Sequence, residues 1–239
     1  MKFVENVPHL KRTRLTSLSD QVYEHLRRAI ITAELSPGAK LVELDIAAQM
    51  GTSQGPIREA LQRLEHDGLV NRHARSATFV SAMSLNELYE LFSIRSVIEG
   101  FAVQHTVQSI TPDQCGLLDA LVENMAQAGQ EKDLIRLAEL DVQFHRYIVE
   151  WSGREGLQRV WMPLSSQVQR FIVQSHPEHY LDFVEIGTRH QPIVDALRRG
   201  DTDEAVRVTQ EHVMLIWSRI NPNWVPHVLK VPQGKETSA

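Results

Sequence analysis

From Leu18 the apolar positions recur at Val22, Leu26 and Ile30, one helical turn apart, with Ser17 or Ser19 placed to cap them. This spacing predicts a helix from Leu18 to Leu35, stopped by the turn-forming string "SPGAK". A short helix over about 43–50 follows, then Gly51 and the turn "TSQGP". Pro56 suits the first turn of a further helix, Pro56 to Asp67, which Gly68 ends. In "LVNRHARSATFVSA" a basic tip at Arg72, His73 and Arg75 separates Leu69 and Val70 from the β-formers Thr78, Phe79 and Val80, the pattern of a β-hairpin.

Beyond Ser84 the pattern is helical throughout, with helices predicted over 85–107, 111–129, 131–151, 155–175, 179–199 and 202–220. Thr111 followed by Pro112 is a helix start, as is Asp201 with Glu204 three positions on, directly after the stop signal Gly200. The tail from Asn221 carries Pro222, Pro226 and Pro232 and reads as extended. The fold class expected is mainly α. A winged helix-turn-helix domain with an N-terminal arm occupies 1–82, an all-helical bundle 83–220 and an extended tail 221–239.

Composition adds little to this picture, but charge changes it. A hydrophobic share of 42% with 23% charged residues suits a globular chain, and no long uncharged apolar run suggests a membrane span. The start, "MKFVENVPHLKRTR", lacks a signal peptide's apolar core, so a cytoplasmic protein is expected. Cys115 is the sole cysteine, which excludes an internal disulfide and a cysteine-rich zinc site. The net charge of −5 is unevenly spread: residues 1–80 hold 11 Lys and Arg against 9 Asp and Glu, the remainder 14 against 21. A mildly basic end and an acidic one predict two domains with separate tasks.

Three helices, a tight turn between the second and third, and a basic hairpin behind them make a winged helix-turn-helix. The helix opened by "SQGPIREALQRL" would enter the major groove, with Ile57, Leu61 and Leu64 packed inward and Gln54, Gly55, Arg58, Glu59 and Gln62 left for DNA. Thr52, Ser53 and the free N–H groups at the helix start suit phosphate, while Arg58 suits guanine or phosphate. Arg72, His73 and Arg75 suit the adjacent backbone or minor groove.

The bundle contains a second chemical signal. In "LDVQFHRYI", Asp141 and His145 sit one turn apart on the apolar stripe of Leu134, Leu137, Ala138, Phe144 and Ile148. His190, among Ile186, Ile193, Val194 and Leu197, and His212, among Ala205, Val208, Leu215 and Ile216, share the anomaly. One carboxylate and three imidazoles from three helices can converge on a divalent metal, for which zinc, nickel and manganese are candidates. Singly, each histidine also fits a hydrogen-bonded core residue. Pro192 stands inside the helix predicted over 179–199, where it would delete a hydrogen bond and kink the helix, which makes His190 the least securely placed of the four. Arg95 lies on the stripe of Leu88, Leu91, Phe92, Ile98 and Ala102 with Glu99 one turn on, so it can anchor an acid ligand or pair with Glu99. "HPEH", His176 to His179, is read as a loop cap.

The stretch "LSPGAKLVELDIAAQMGTSQGPIREALQRLEHDGLV" resembles the DNA-binding domain of GntR-family transcription regulators, and the helical remainder resembles their FadR-type (FCD) ligand-binding domain. The resemblance covers about 16–220, and "PIREALQRLEHDGLV" is its most specific part. It implicates Ser53, Gln54, Gly55, Arg58, Arg75 and Ser76 in DNA contact, and matches Asp141, His145, His190 and His212 to a metal site with Arg95 near an effector cavity. Gln54 departs from the family's usual arginine and Ala77 from its wing glycine. The resemblance implies a homodimer that binds double-stranded operator DNA under control of a small carboxylate. A metal-responsive regulator and a metalloenzyme are the alternatives; no HExxH, GxSxG or P-loop supports the latter.

Overall fold

The computed structural model of this chain describes residues 17–73 and 77–220. The N-terminal arm, Arg75 and Ser76 at the wing tip, and the tail from 221 lie outside the described residues, as does the His73 side chain.

The head begins with α1 (Leu18–Ile31), which Ser17 starts by a reciprocal capping box with Asp20. It ends short of Leu35. The Thr32 amide and hydroxyl both donate to the Arg28 carbonyl, and Ala33 adopts φ 62°, turning the chain so that Leu35 folds back onto the core. Then come β1 (Lys40–Leu41), α2 (Glu43–Gln49), α3 (Gln54–His66), β2 (Val70–His73) and β3 (Ala77–Val80). Gly51, at φ 62°, supplies the left-handed turn between α2 and α3. Pro56 lies in the first turn of α3, where an amide would have no partner within the helix.

The predicted hairpin forms, with Asn71 opposite Phe79 and His73 opposite Ala77. A third strand joins it in the order β1-β3-β2, pairing Lys40 with Phe79. Two residues are too few to show an alternation, so the pattern could not reveal β1. Ile57, Leu61 and Leu64 on α3 are fully buried against Val22, Leu26 and Ile30 of α1, as their spacing predicts. Each contributes about 1.5–3 kcal/mol relative to an exposed side chain.

Seven helices follow: α4 (Leu85–Thr106), α5 (Pro112–Gln130), α6 (Leu134–Trp151), α7 (Glu155–His179), α8 (Val184–Thr188), α9 (Gln191–Arg199) and α10 (Thr202–Ile220). Capping boxes start α4 at Ser84 and Glu87 and α5 at Thr111 and Gln114. The bundle departs from expectation between 175 and 199. There α7 runs on through Pro177 to His179, and the single helix predicted over 179–199 is split into α8 and α9. Pro192 lies in the first turn of α9, so it costs no helical hydrogen bond, and His190 occupies the N-cap position. Pro192 therefore does not carry His190 away from the other three residues.

His190 is instead pinned, with Nδ1 at 3.0 Å from the Ile186 carbonyl and 3.1 Å from that of Gly187. A Cβ at Gly187 would stand 2.7 Å from the Ala126 backbone nitrogen; its absence lets α8 seat on α5 and carries His190 inward. Around it Phe144, Ile148, Leu118, Met125, Ile193 and Val194 form a closed apolar core. The head docks on α7: Gln174 Nε2 donates to the carbonyls of Ile30 at 2.8 Å and Ile31 at 3.1 Å, and Arg170 donates to Ser81 Oγ at 2.9 Å. Among the described residues no helix is long and apolar enough to cross a membrane.

Candidate functional site

The four-residue step on α6 places Asp141 and His145 side by side in the interior, with 5% and 1% exposure. His190 reaches them from the α8–α9 junction and His212 from α10. One potential ligand atom from each of the four lies within 4.8 Å of the others. Nε2 of His145 and Nε2 of His212 are 3.3 Å apart, and His190 Nε2 is 3.1 Å from Asp141 Oδ1, in ion-pair reach but not aligned as a hydrogen bond. Asp141 Oδ2, His190 Nε2 and His212 Nδ1 are all buried without a hydrogen-bond partner.

Leaving such atoms unpaired costs about 1–3 kcal/mol each, more for a charged one. A cation among them would recover that cost for each atom that binds it. Metal–nitrogen bonds of about 2.05 Å put tetrahedral ligand atoms about 3.3 Å apart, the spacing of the His145–His212 and His190–Asp141 pairs, and the donor set suits a divalent ion. The sequence-predicted quartet is thus brought together.

Charge is organised around it. Burial alone would raise the Asp141 carboxyl, but His190, His145 and Arg95 outweigh it and hold the group well below the carboxylate range. Burial pushes His145 down despite Glu99 and Asp141, and pushes His212 further down with help from His190 and His145. Both rings are therefore neutral at pH 7, the form that binds a metal.

Two residues take parts that the sequence pattern did not assign. Glu99, 1% exposed, lies with Oε2 2.7 Å from His145 Nδ1, while its Oε1 accepts from Arg95 Nε at 2.5 Å and Trp161 Nε1 at 2.7 Å. Burial opposes its ionisation, yet Arg95 and His145 bring its pKa down to about 2. The clue was present, since Glu99 shares Arg95's apolar stripe. His176 is buried in the last turn of α7 rather than capping a loop, its Nδ1 is unpartnered, and burial lowers its pKa to about 4. The helix predicted over 155–175 runs one turn further, with Pro177 accommodated inside it.

Of the two readings of Arg95, the pairing with Glu99 is present, and one guanidinium nitrogen is left over. Its Nε pairs with Glu99, while Nη2 is buried without a hydrogen bond, 3.9 Å from Asp141 Oδ2. A cavity of about 40 Å³ opens here between Arg95, Asp141, His176 and His212, walled by Phe92 and Ile172. That volume holds only a few water-sized groups.

On the head, Ser53, Gln54, Gly55 and Arg58 are exposed at the start of α3 and Thr52 is half-buried. Ser53 makes no side-chain cap, leaving the first amides of α3 without that partner. Arg58 and Arg72 converge on one carboxylate: each places a guanidinium nitrogen 3.1 Å from Glu43, at the start of α2. The predicted contacts Arg75 and Ser76 lie outside the described residues.

Residues 18–80 match the gntR family of bacterial regulatory proteins and residues 90–214 match the FCD domain. The probable D-xylose utilization operon transcriptional repressor of Paenarthrobacter nicotinovorans is 31% identical over 206 residues, 85% of this chain and 88% of the relative. The gluconate operon transcriptional repressor of Bacillus licheniformis is 26% identical over 84% of each chain. In fold, the chain matches E. coli McbR/YncC with a TM-score of 0.69 at 23% identity, over 87% of this chain and all of that one. These relatives are transcription regulators, which sets aside the metalloenzyme alternative. A winged helix-turn-helix followed by an all-α FCD bundle, in a chain this similar to operon repressors, makes this protein a DNA-binding transcription regulator of the gntR family.

Proposed function

We propose that this regulator releases or grips its operator in response to a small carboxylate bound beside a divalent metal, held by Asp141, His145, His190 and His212. The observation that carries the reading is the convergence of four ligand atoms within 4.8 Å of one another, two of whose residues, Asp141 and His212, line a cavity that also presents Arg95 Nη2, which has no hydrogen-bond partner. Arg95 and the metal together would neutralise a carboxylate in a site too dry to solvate one. Zinc suits this nitrogen-rich set, with nickel and manganese as alternatives. The gluconate operon repressor among the relatives is named for a sugar acid, in keeping with an acid effector.

The DNA surface is assigned to Thr52, Ser53, Gln54, Gly55, Arg58 and Arg72, extended at the wing tip by Arg75 and Ser76. Phosphates would approach the uncapped start of α3, and Arg58 and Arg72 would pass from Glu43 to the duplex. A homodimer reading two half-sites is supported by Ile94, Val97 and Phe101, which expose an apolar stripe on α4 (51%, 36% and 37%).

The test begins with DNA selected from a random pool by the purified protein, followed by gel-shift titration of the metal-loaded and chelator-stripped forms with hydroxy acids of two or three carbons. The expected result is sequence-specific retardation that an acid changes only in the metal-loaded form. Retardation lacking any sequence preference at moderate salt would overturn the reading. Affinity that tracks free metal alone would make the ion, rather than the acid, the signal.

A further inference from the structure

We propose that Glu99 is the positioning residue of the metal cluster: its carboxylate selects the tautomer of His145 that leaves Nε2 bare toward His212, His190 and Asp141. This rests on the metal reading above.

The reasoning starts from an imidazole's two nitrogens. A neutral ring carries one proton, and whichever nitrogen holds it cannot bind a metal. His145 Nδ1 stands 2.7 Å from Glu99 Oε2, whereas its Nε2 faces His212 Nε2 at 3.3 Å. The ring's N–H direction is off the line to Oε2, so charge rather than alignment makes the choice. A proton on the nitrogen touching a carboxylate is strongly favoured over one aimed at a second histidine.

Glu99 is itself fixed. Its other oxygen accepts from Arg95 Nε on the same helix and from the indole of Trp161 on α7, which is 2% exposed. Three helices therefore meet at one carboxylate: α4 supplies it, α6 presents the ligand, and α7 supplies the indole that holds it. Partners of this kind, one bond removed from the metal, set ligand orientation, and removing them usually lowers metal affinity 10- to 100-fold.

The test uses the full chain in wild-type, Glu99→Gln and Glu99→Asp forms, with Trp161→Phe as a comparison that spares the charge. The first readout needs no metal: imidazole nitrogen resonances of 15N-histidine-labelled apo-protein, with His145 assigned by its loss in His145→Gln. Wild type is expected to carry the His145 proton on Nδ1, and Glu99→Gln to shift it partly or wholly to Nε2. The second is zinc affinity by competition with a chromophoric chelator, on samples that circular dichroism shows to be folded. Glu99→Gln is expected to bind zinc about 10- to 100-fold more weakly, and Trp161→Phe by a smaller factor, because Arg95 still holds the carboxylate.

A wild-type His145 protonated on Nε2 would overturn the assignment, as would a Glu99→Gln protein with unchanged tautomer and unchanged zinc affinity. Should Glu99→Gln fail to fold, Glu99→Asp carries both measurements, its carboxylate being withdrawn by one methylene. Wild type taking up no zinc, nickel or manganese would refute the metal reading, and the tautomer data would still decide the role of Glu99.

Discussion

Nε2 of His145 and Nε2 of His212 face each other across 3.3 Å in rings that burial keeps neutral. Two lone pairs so placed repel unless a proton or a cation lies between them. A divalent metal should therefore stabilise the folded chain: at a free concentration 100 times the dissociation constant the gain is about 2.7 kcal/mol, a rise of roughly 5–10 °C in Tm for a chain of this size. Calorimetry of zinc-loaded and chelator-stripped protein measures it. His212→Gln should lose most of the rise, and equal melting temperatures for the two wild-type forms would refute the site.

His176 gives the metal-free protein a predictable acid weakness. Burial lowers its pKa from 6.5 to about 4, so between those values the unfolded chain takes up a proton that the folded chain refuses. Stability then falls as pH drops from 6.5 toward 4, by about 3 kcal/mol from this residue. Urea unfolding across that range should show a shallower decline for His176→Gln. Parallel curves for the two proteins would remove His176 as the cause.

The parts of the fold and site legible in the sequence are those set by local periodicity. The α3 stripe of Ile57, Leu61 and Leu64 is buried as its spacing predicts, and the four-residue step from Asp141 to His145 brings both groups to one point. What escaped depends on long-range or end effects. The strand Lys40–Leu41 exists only because β3 lies beside it. The break at Arg189 and His190 follows from Gly187 letting α8 press against α5, a contact between residues more than sixty positions apart. Glu43 was unassigned because its link to Arg58 and Arg72 spans three elements.

Arg95 should separate acid binding from metal binding. Its Nη2 is a cationic donor of the cavity without a hydrogen-bond partner, while none of the four proposed metal ligands is Arg95 itself. Arg95→Met is expected to abolish a carboxylate-induced thermal shift and retain zinc uptake. It also strips Glu99 of its main counter-charge, so a stability loss of about 3–5 kcal/mol should accompany it. An acid-dependent shift of wild-type size in this variant would place the acid elsewhere.

On the head, Glu43 holds Arg58 and Arg72 together without DNA, each at 3.1 Å. If both arginines move to phosphates, Arg58→Ala and Arg72→Ala should each weaken binding to all sequences and reduce the slope of log K against log salt by about 1. Should Arg58 instead read a guanine edge, its loss would relax preference at a single base pair, worth about 1–3 kcal/mol. Filter binding over a salt series on selected and scrambled duplexes separates these outcomes. Unchanged affinity and slope in both variants would detach this surface from DNA.

The cavity and the head share one helix. On α7, Ile172 and His176 line the cavity, and Gln174 between them donates to the Ile30 and Ile31 carbonyls in the last turn of α1. One turn earlier, buried Arg170 donates to Ser81 at the end of the wing sheet, and Ser81 in turn donates to the Gly68 carbonyl. A ligand that shifts α7 must therefore strain or relieve contacts that orient α1 and the wing. Coupling between sites is a free energy carried by such shared elements, and it vanishes when the element no longer distinguishes the two states. The double variant Arg170→Ala and Gln174→Ala is expected to keep its ligand-induced thermal shift, because the cavity walls remain, and to keep sequence-specific DNA binding, because α3 is untouched. The ratio of operator affinities with and without ligand should fall toward 1. A ratio equal to that of wild type would show that the signal reaches the head by another path, and the linker before α4 would then be the element to cut.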